Sequence, residues 1–206
     1  MKYLSIWCLI TLFAFFSNTQ AATFYVGDST QCNQANHYDN LHLALLAANS
    51  NGSQADEIRL TNTVSYQGDT NGSYSIALSN AGHITIAGGY GNCGDPVNTT
   101  PPNIGNTADA VFEVKNNALV SLKNLKILGS DSRGIIVNEN AALYLESVDV
   151  SDNVAGIRVL GGAYVELDEN TTVFNNGHLD DIPKGGGIWC FGNNSEVTIA
   201  GKLGKK

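Results

Sequence analysis

Basic residues are scarce in this chain. Eleven Lys and Arg stand against nineteen Asp and Glu over 206 residues, a formal net charge of −8. A surface of that sign repels phosphate backbones and excludes nucleic acid as a partner. It also opposes acidic polysaccharides, unless a local basic groove or a bound divalent cation overrides the repulsion. After Phe16 no apolar run approaches the roughly 20 residues that span a bilayer, so no transmembrane span is expected in the mature chain. Proline is rare, and Pro96, Pro101 and Pro102 all fall within residues 92–108. That concentration predicts a loop there.

What is present begins with Met1 to Ala21: one lysine at position 2, an apolar stretch to Phe16, then small and polar residues up to Ala21. The pattern reads as a secretory signal, 1–21, and predicts a soluble product that is secreted or held at the cell surface or in the periplasm. Its removal takes away Lys2 and leaves 10 basic against 19 acidic residues, a net charge of −9. Cys8 leaves with it, so Cys32, Cys93 and Cys190 remain. Export favours oxidation, which predicts a Cys32–Cys93 disulfide. Closing a loop of about 60 residues stabilises by roughly 4 kcal/mol in the chain-entropy account. Cys190 reads as a buried thiol serving as a small hydrophobe.

The most informative feature is a repeat. Val114, Val137 and Val159 are separated by 23 and 22 residues. Val120 and Leu122, Leu143 and Leu145, Val165 and Leu167 recur in step, followed by Leu125 and Ile127, Val148 and Val150, Thr171 and Val173. Each unit is three short alternating strands separated by Asn, Gly and Ser corners. One such turn cannot bury its apolar side without a neighbour, which marks a solenoid. The fold expected is all-β: a right-handed parallel β-helix with three-strand coils. The segment 39–48 reads as a helix, with Asp39 or Asn40 as N-cap and Asn49 to Gly52 as the stop. This predicts one domain over 22–206, divided into an N-terminal cap (22–56), coils (57–200) and a basic tail (201–206). Thr23–Val26 and the segments from Asp56, Ser75 and His83 read as further strands, the last ending before Gly88-Gly89-Tyr90-Gly91.

Cap helix, Ala55-Asp56-Glu57-Ile58-Arg59-Leu60, Gly88-Gly89-Tyr90-Gly91-Asn92-Cys93 and then coils resemble the secreted right-handed β-helix repeat proteins, also called pectate-lyase-like. Val173-Phe174-Asn175-Asn176 followed by Gly185-Gly186-Gly187-Ile188-Trp189 resembles the repeats of polymorphic outer-membrane proteins. The resemblance implies the solenoid. Its members include lyases, hydrolases and adhesins, so it leaves activity open. Gly177-His178 and Asp180-Asp181 are similar to fragments of the polygalacturonase signature, but their order is reversed and the flanking motifs are absent.

The register places outward side chains in rows about 4.8 Å apart. Tyr144 lies under Glu166, and Glu146 lies under Asp168 and over Lys123. These three carboxylates would suit Ca²⁺ or the paired acids of glycoside cleavage. A solvated acidic face is the plainer alternative, and no cofactor is otherwise implied. Another row runs Glu113, Ile136, Arg158, Trp189. Arg158 beneath Trp189 would form a cation–π pair. The indole then either offers a platform to a sugar or packs under the 177–185 insertion.

The function expected is a non-catalytic extracellular binding module, directed to a glycan or a cell-surface component. Binding candidates are Arg158, Trp189 and Tyr144; metal candidates are Glu146, Glu166 and Asp168. A polysaccharide lyase or glycoside hydrolase, or a shortened remnant without activity of its own, are the alternatives. Ile188, Val197 and Ile199 are expected to form the last inward layer, whose open strand edges invite end-to-end self-association.

Overall fold

Alternation at period two gives each short segment one inward and one outward face. The computed structural model describes residues 20–28, 30, 32–67, 72–77, 82–95, 100–106, 110–177 and 186–200. Nearly all of the expected leader, residues 178–185 of the insertion and the 201–206 tail lie outside the described residues. In chain order the elements are β1 (Thr23–Val26), β2 (His37–Tyr38), α1 (Leu41–Ser50), β3 (Asp56–Thr61), β4 (Tyr66–Gln67) and β5 (Tyr74–Ala77). They continue with β6 (His83–Tyr90), β7 (Asn103–Gly105), β8 (Phe112–Lys115), β9 (Leu119–Lys123), β10 (Lys126–Leu128) and β11 (Arg133–Val137). The last are β12 (Ala142–Glu146), β13 (Asp149–Ser151), β14 (Ala155–Leu160), β15 (Tyr164–Leu167), β16 (Thr172–Phe174), β17 (Ile188–Phe191) and β18 (Glu196–Ile199).

From β3 onward every third strand joins the same sheet. Sheet A has eight strands, ordered β18-β15-β12-β9-β6-β3-β1-β2. Sheets B and C have five each, β16-β13-β10-β7-β4 and β17-β14-β11-β8-β5. The pairings are parallel, and they reproduce the expected register. Val114, Val137, Val159 and Cys190 form one column; Leu122, Leu145, Leu167 and Ile199 form another. Inward Val, Leu and Ile from all three sheets make one continuous core.

Several of the bends between sheets use a positive φ, which Asn tolerates better than most residues. Asn116 and Asn117, then Glu139 and Asn140, take it between sheets C and A, while Asp152 and Asn175 take it between B and C. The residue after each of the latter pair builds a polar ladder inside the corner. Asn153 Oδ1 accepts from the Ser130 amide at 3.0 Å, and Asn176 Oδ1 accepts from the Asn153 amide at 3.1 Å. Asn153 Nδ2 also donates to the Ile127 and Ser151 carbonyls, at 3.1 and 2.8 Å. Burying this amide is tolerable because its polar atoms are paired.

The helix forms where the sequence places it. Asn40 is the N-cap and accepts from the Leu43 amide at 2.9 Å. Leu41, Ala44, Leu45 and Ala48 face inward and join the solenoid core, so α1 covers apolar residues of the first rungs. β1 pairs with β3 in sheet A, so the strand expected at Thr23–Val26 joins the solenoid. Cys32 and Cys93 are bonded, with Cα atoms 5.3 Å apart across 61 residues of sequence.

Three expectations need correction. Residues 92–108 are not loop throughout, because β7 pairs there with β4 and β10. Pro102 supplies no amide but its carbonyl accepts from Lys126 N at 3.0 Å, so the ladder starts at the proline itself. The strand beginning at His83 does not end before Gly88 but runs to Tyr90. A Cβ on Gly88 would lie 2.3 Å from Pro102 Cδ and 2.4 Å from the Asn124 carbonyl, so only glycine lets β6 pass beneath that corner. Finally, Cys190 keeps its inward register opposite Val159 yet is a free, exposed thiol. No further rung among the described residues lies over it.

Candidate functional site

Outward side chains of sheet C form the expected row, with Glu113, Ile136, Arg158 and Trp189 at matched positions on β8, β11, β14 and β17, and Ser75 on β5 extends it. The Arg158 guanidinium carbon lies 4.9 Å from the centroid of the Trp189 ring. Two residues along β17, Phe191 sits with its ring centroid 6.1 Å from that of Trp189, tilted by 44°. Half of Trp189 (51%) and most of Phe191 (64%) face solvent. The part of the insertion expected to cover the indole, 178–185, lies outside the described residues. Phe191 was not foreseen, although its place two residues beyond Trp189 on an alternating strand was a usable signal.

Sheet A presents a different outer face. Tyr144 does lie opposite Glu166, and Lys123 pairs with Glu146 at 2.8 Å. The three candidate carboxylates do not converge, because each has a separate engagement. Glu146 holds Lys123, and Glu166 accepts from the Tyr164 hydroxyl at 2.8 Å. Asp168 Oδ1 accepts from Thr171 Oγ1 at 2.6 Å and from the Ser147 amide at 3.0 Å. Burial opposes ionisation of Asp168, but these bonds and those from Asn170 outweigh it and hold the carboxyl below its ordinary value. Asp168 is thus committed to its corner. Among the described residues no three His, Cys, Asp or Glu side chains gather to hold a metal ion.

Sequence reasoning also missed a polar and aromatic strip on this face. His83 Nε2 is 2.9 Å from Ser121 Oγ, and Tyr144 stands between His83 and Tyr164, with centroids 6.4 and 6.0 Å away. Burial, then the charge of Lys123, lowers the His83 pKa, against a smaller opposing effect of Glu146. The backbone amides of β6 and β9 are consumed by the parallel ladders on either side.

Residues 109–202 match the family described as right handed beta helix region. Together with its three parallel sheets, this makes the chain a right-handed parallel β-helix repeat protein. No curated protein and no solved structure matches it significantly. Among the described residues no helix is long and apolar enough to cross a membrane.

Proposed function

We propose that the protein is a secreted, non-catalytic binding module that takes saccharides on the outer face of sheet C. The observation that supports this reading is the open indole of Trp189, held in place by Arg158 on one side and flanked by Phe191. A rigid aromatic ring offers area to the C–H face of a pyranose at little cost in conformational entropy. A parallel ladder fixes that ring more firmly than a loop would. The carboxylates of sheet A, engaged one by one, lend no comparable support to a hydrolase or lyase.

Affinity electrophoresis against a panel of neutral and acidic oligosaccharides and cell-surface glycans tests the proposal. The native protein should be retarded by at least one glycan. Trp189→Ala should weaken that binding about tenfold, the equivalent of about 1.4 kcal/mol for a lost ring contact. Retardation by none of them, or release of unsaturated or reducing ends from any, would overturn the reading.

A further inference from the structure

One inward column of sheet A begins with a charged residue. Asp56, Ile84, Val120, Leu143, Val165 and Val197 occupy matched positions on β3, β6, β9, β12, β15 and β18. Five of the six are hydrocarbon, and Asp56 is as deeply placed as most of them, at 2% exposure. A carboxyl group in such a position is costly unless its oxygens are paired. Oδ1 is served twice, by the Ala22 amide at 2.8 Å and by Asn51 Nδ2 at 2.9 Å. Oδ2 is buried without a hydrogen-bond partner. The ion pairs among the described residues join Arg59 to Glu57, Lys115 to Glu113 and Lys123 to Glu146, so none reaches Asp56.

The missing donor lies at the edge of the expected leader. Ala22 is the first residue after 1–21. It is held from both sides, because its amide faces Asp56 and its carbonyl accepts from Glu57 N at 2.9 Å, where the β1–β3 ladder opens. Ala22 packs against the core, whereas Gln20 and Ala21 are exposed. A leader-removing peptidase adds water across the Ala21–Ala22 bond. Ala21 departs with a new carboxylate, and the Ala22 nitrogen becomes an α-ammonium, protonated below a pKa of about 8. That group has three N–H donors where the amide has one. It stays anchored by the ladder and has lost its bond to the Ala21 carbon, so a small turn of the Asp56 carboxyl group brings Oδ2 within its reach. A charge-assisted bond of this kind is roughly twice as strong as the amide bond it replaces. Other occupants fit less well. A metal ion needs several ligands, and among the described residues no three His, Cys, Asp or Glu side chains gather. A water molecule brings no charge.

We propose that Asp56, oriented by Asn51, is the receptor for the amino terminus released by cleavage between Ala21 and Ala22, and that the resulting ion pair locks the cap onto the first rungs. Asn51 is the C-cap of α1 and also donates to the Gln20 carbonyl at 3.1 Å. The end of α1, β1 and the start of β3 therefore meet at one carboxyl group. The uncleaved chain presents only an amide there, so removal of the leader and full closure of the cap are one event. The inference rests on export of the protein and needs no ligand on sheet C.

Two chains test it, one beginning at Ala22 and one at Ala21, each released from a fusion by a protease that leaves no added residue. The longer chain keeps the Ala22 amide and every strand and lacks only the ammonium at position 22. In urea at pH 6.5 the Ala22 chain should have a folding equilibrium constant at least about tenfold larger, the equivalent of about 1.4 kcal/mol. Asp56→Asn should reduce that advantage to less than about threefold. Because a substitution in the core can prevent folding, a second measurement uses none. Acylation of the terminal amine at neutral pH, followed by mass spectrometry, should be at least about tenfold slower for the Ala22 chain. The full chain, expressed with its leader in a secreting host, should yield a product whose mass corresponds to a start at Ala22. Equal stability of the two chains, equal acylation rates, or a secreted product beginning elsewhere would each overturn the inference. None of these results bears on glycan retardation, so this inference and the saccharide reading fail separately.

Discussion

Leu145, Leu167 and Ile199 stand in one column of sheet A, on successive rungs and in the same inward register. Leu145 and Leu167 are 1% and 3% exposed, whereas Ile199 is 42% exposed. The same contrast separates Val159, fully buried, from Cys190 beside it. The residues of the final rung are as apolar as those of the middle rungs, and the strand geometry is the same. What differs is that, among the described residues, no further rung lies on the far side of the last one. In a solenoid each rung is buried by the next, so burial belongs to a pair of rungs and not to the sequence of either one.

The sharpest way to break this comparison is to cut the same column at two heights. Leu145→Ala removes a fully enclosed side chain and should cost about 2–5 kcal/mol. Ile199→Ala, near half exposure, should cost about 1 kcal/mol or less. Urea midpoints measure both, and equal losses would mean that the last rung is covered in solution.

A smaller difference is expected along the polar ladder. Asn153→Ala strips partners from the Ser130 amide and from the Ile127 and Ser151 carbonyls in a dry corner, and should cost about 3 kcal/mol. Asn176 makes similar bonds one rung later, to the Val150 and Phe174 carbonyls at 2.9 Å each. Water reaches that partly exposed corner, so Asn176→Ala should cost less than half as much. Matching losses in urea would show that solvent access does not set the difference.

The smallest effect concerns pH and the opposite end of the solenoid. His83 has its pKa lowered, first by burial and then by Lys123. The unfolded chain therefore binds a proton more readily than the folded one. The stability that His83 contributes is present above its unfolded pKa, about 6.5, and is lost as pH falls through the depressed folded value. Acidification from pH 7.5 into that range should lower amide protection in β6 and β9, after correction for intrinsic exchange, and leave β17 and β18 unchanged. His83→Gln should abolish the difference. A uniform loss across all rungs would assign it to other groups.

Much of this architecture was legible because its causes are local. Side-chain alternation, corner residues and a 22- to 23-residue period place Val114, Val137 and Val159 in one column, and Arg158 under Trp189, before any coordinate is known. The Cys32–Cys93 bond was legible too, from the expectation of an oxidising compartment and the place of both residues ahead of the regular coils. The carboxylate row was legible as a row. Its lack of convergence was not, because Asp168 turns back to Thr171 and the Ser147 amide, and that choice belongs to the corner rather than to the strand.

By itself, then, the sequence determined the repeat, the inward columns and the outward rows, all of which follow from short-range backbone rules applied at a fixed period. Only the tertiary structure decided that a strand forms directly after Pro102, that His83 meets Ser121 across 38 residues, that Asn153 is satisfied by two neighbouring rungs, and that Cys190, Trp189 and Phe191 lie open to solvent. Each of these depends on which rung lies above or below and how closely it approaches, and that spacing is set by packing between turns.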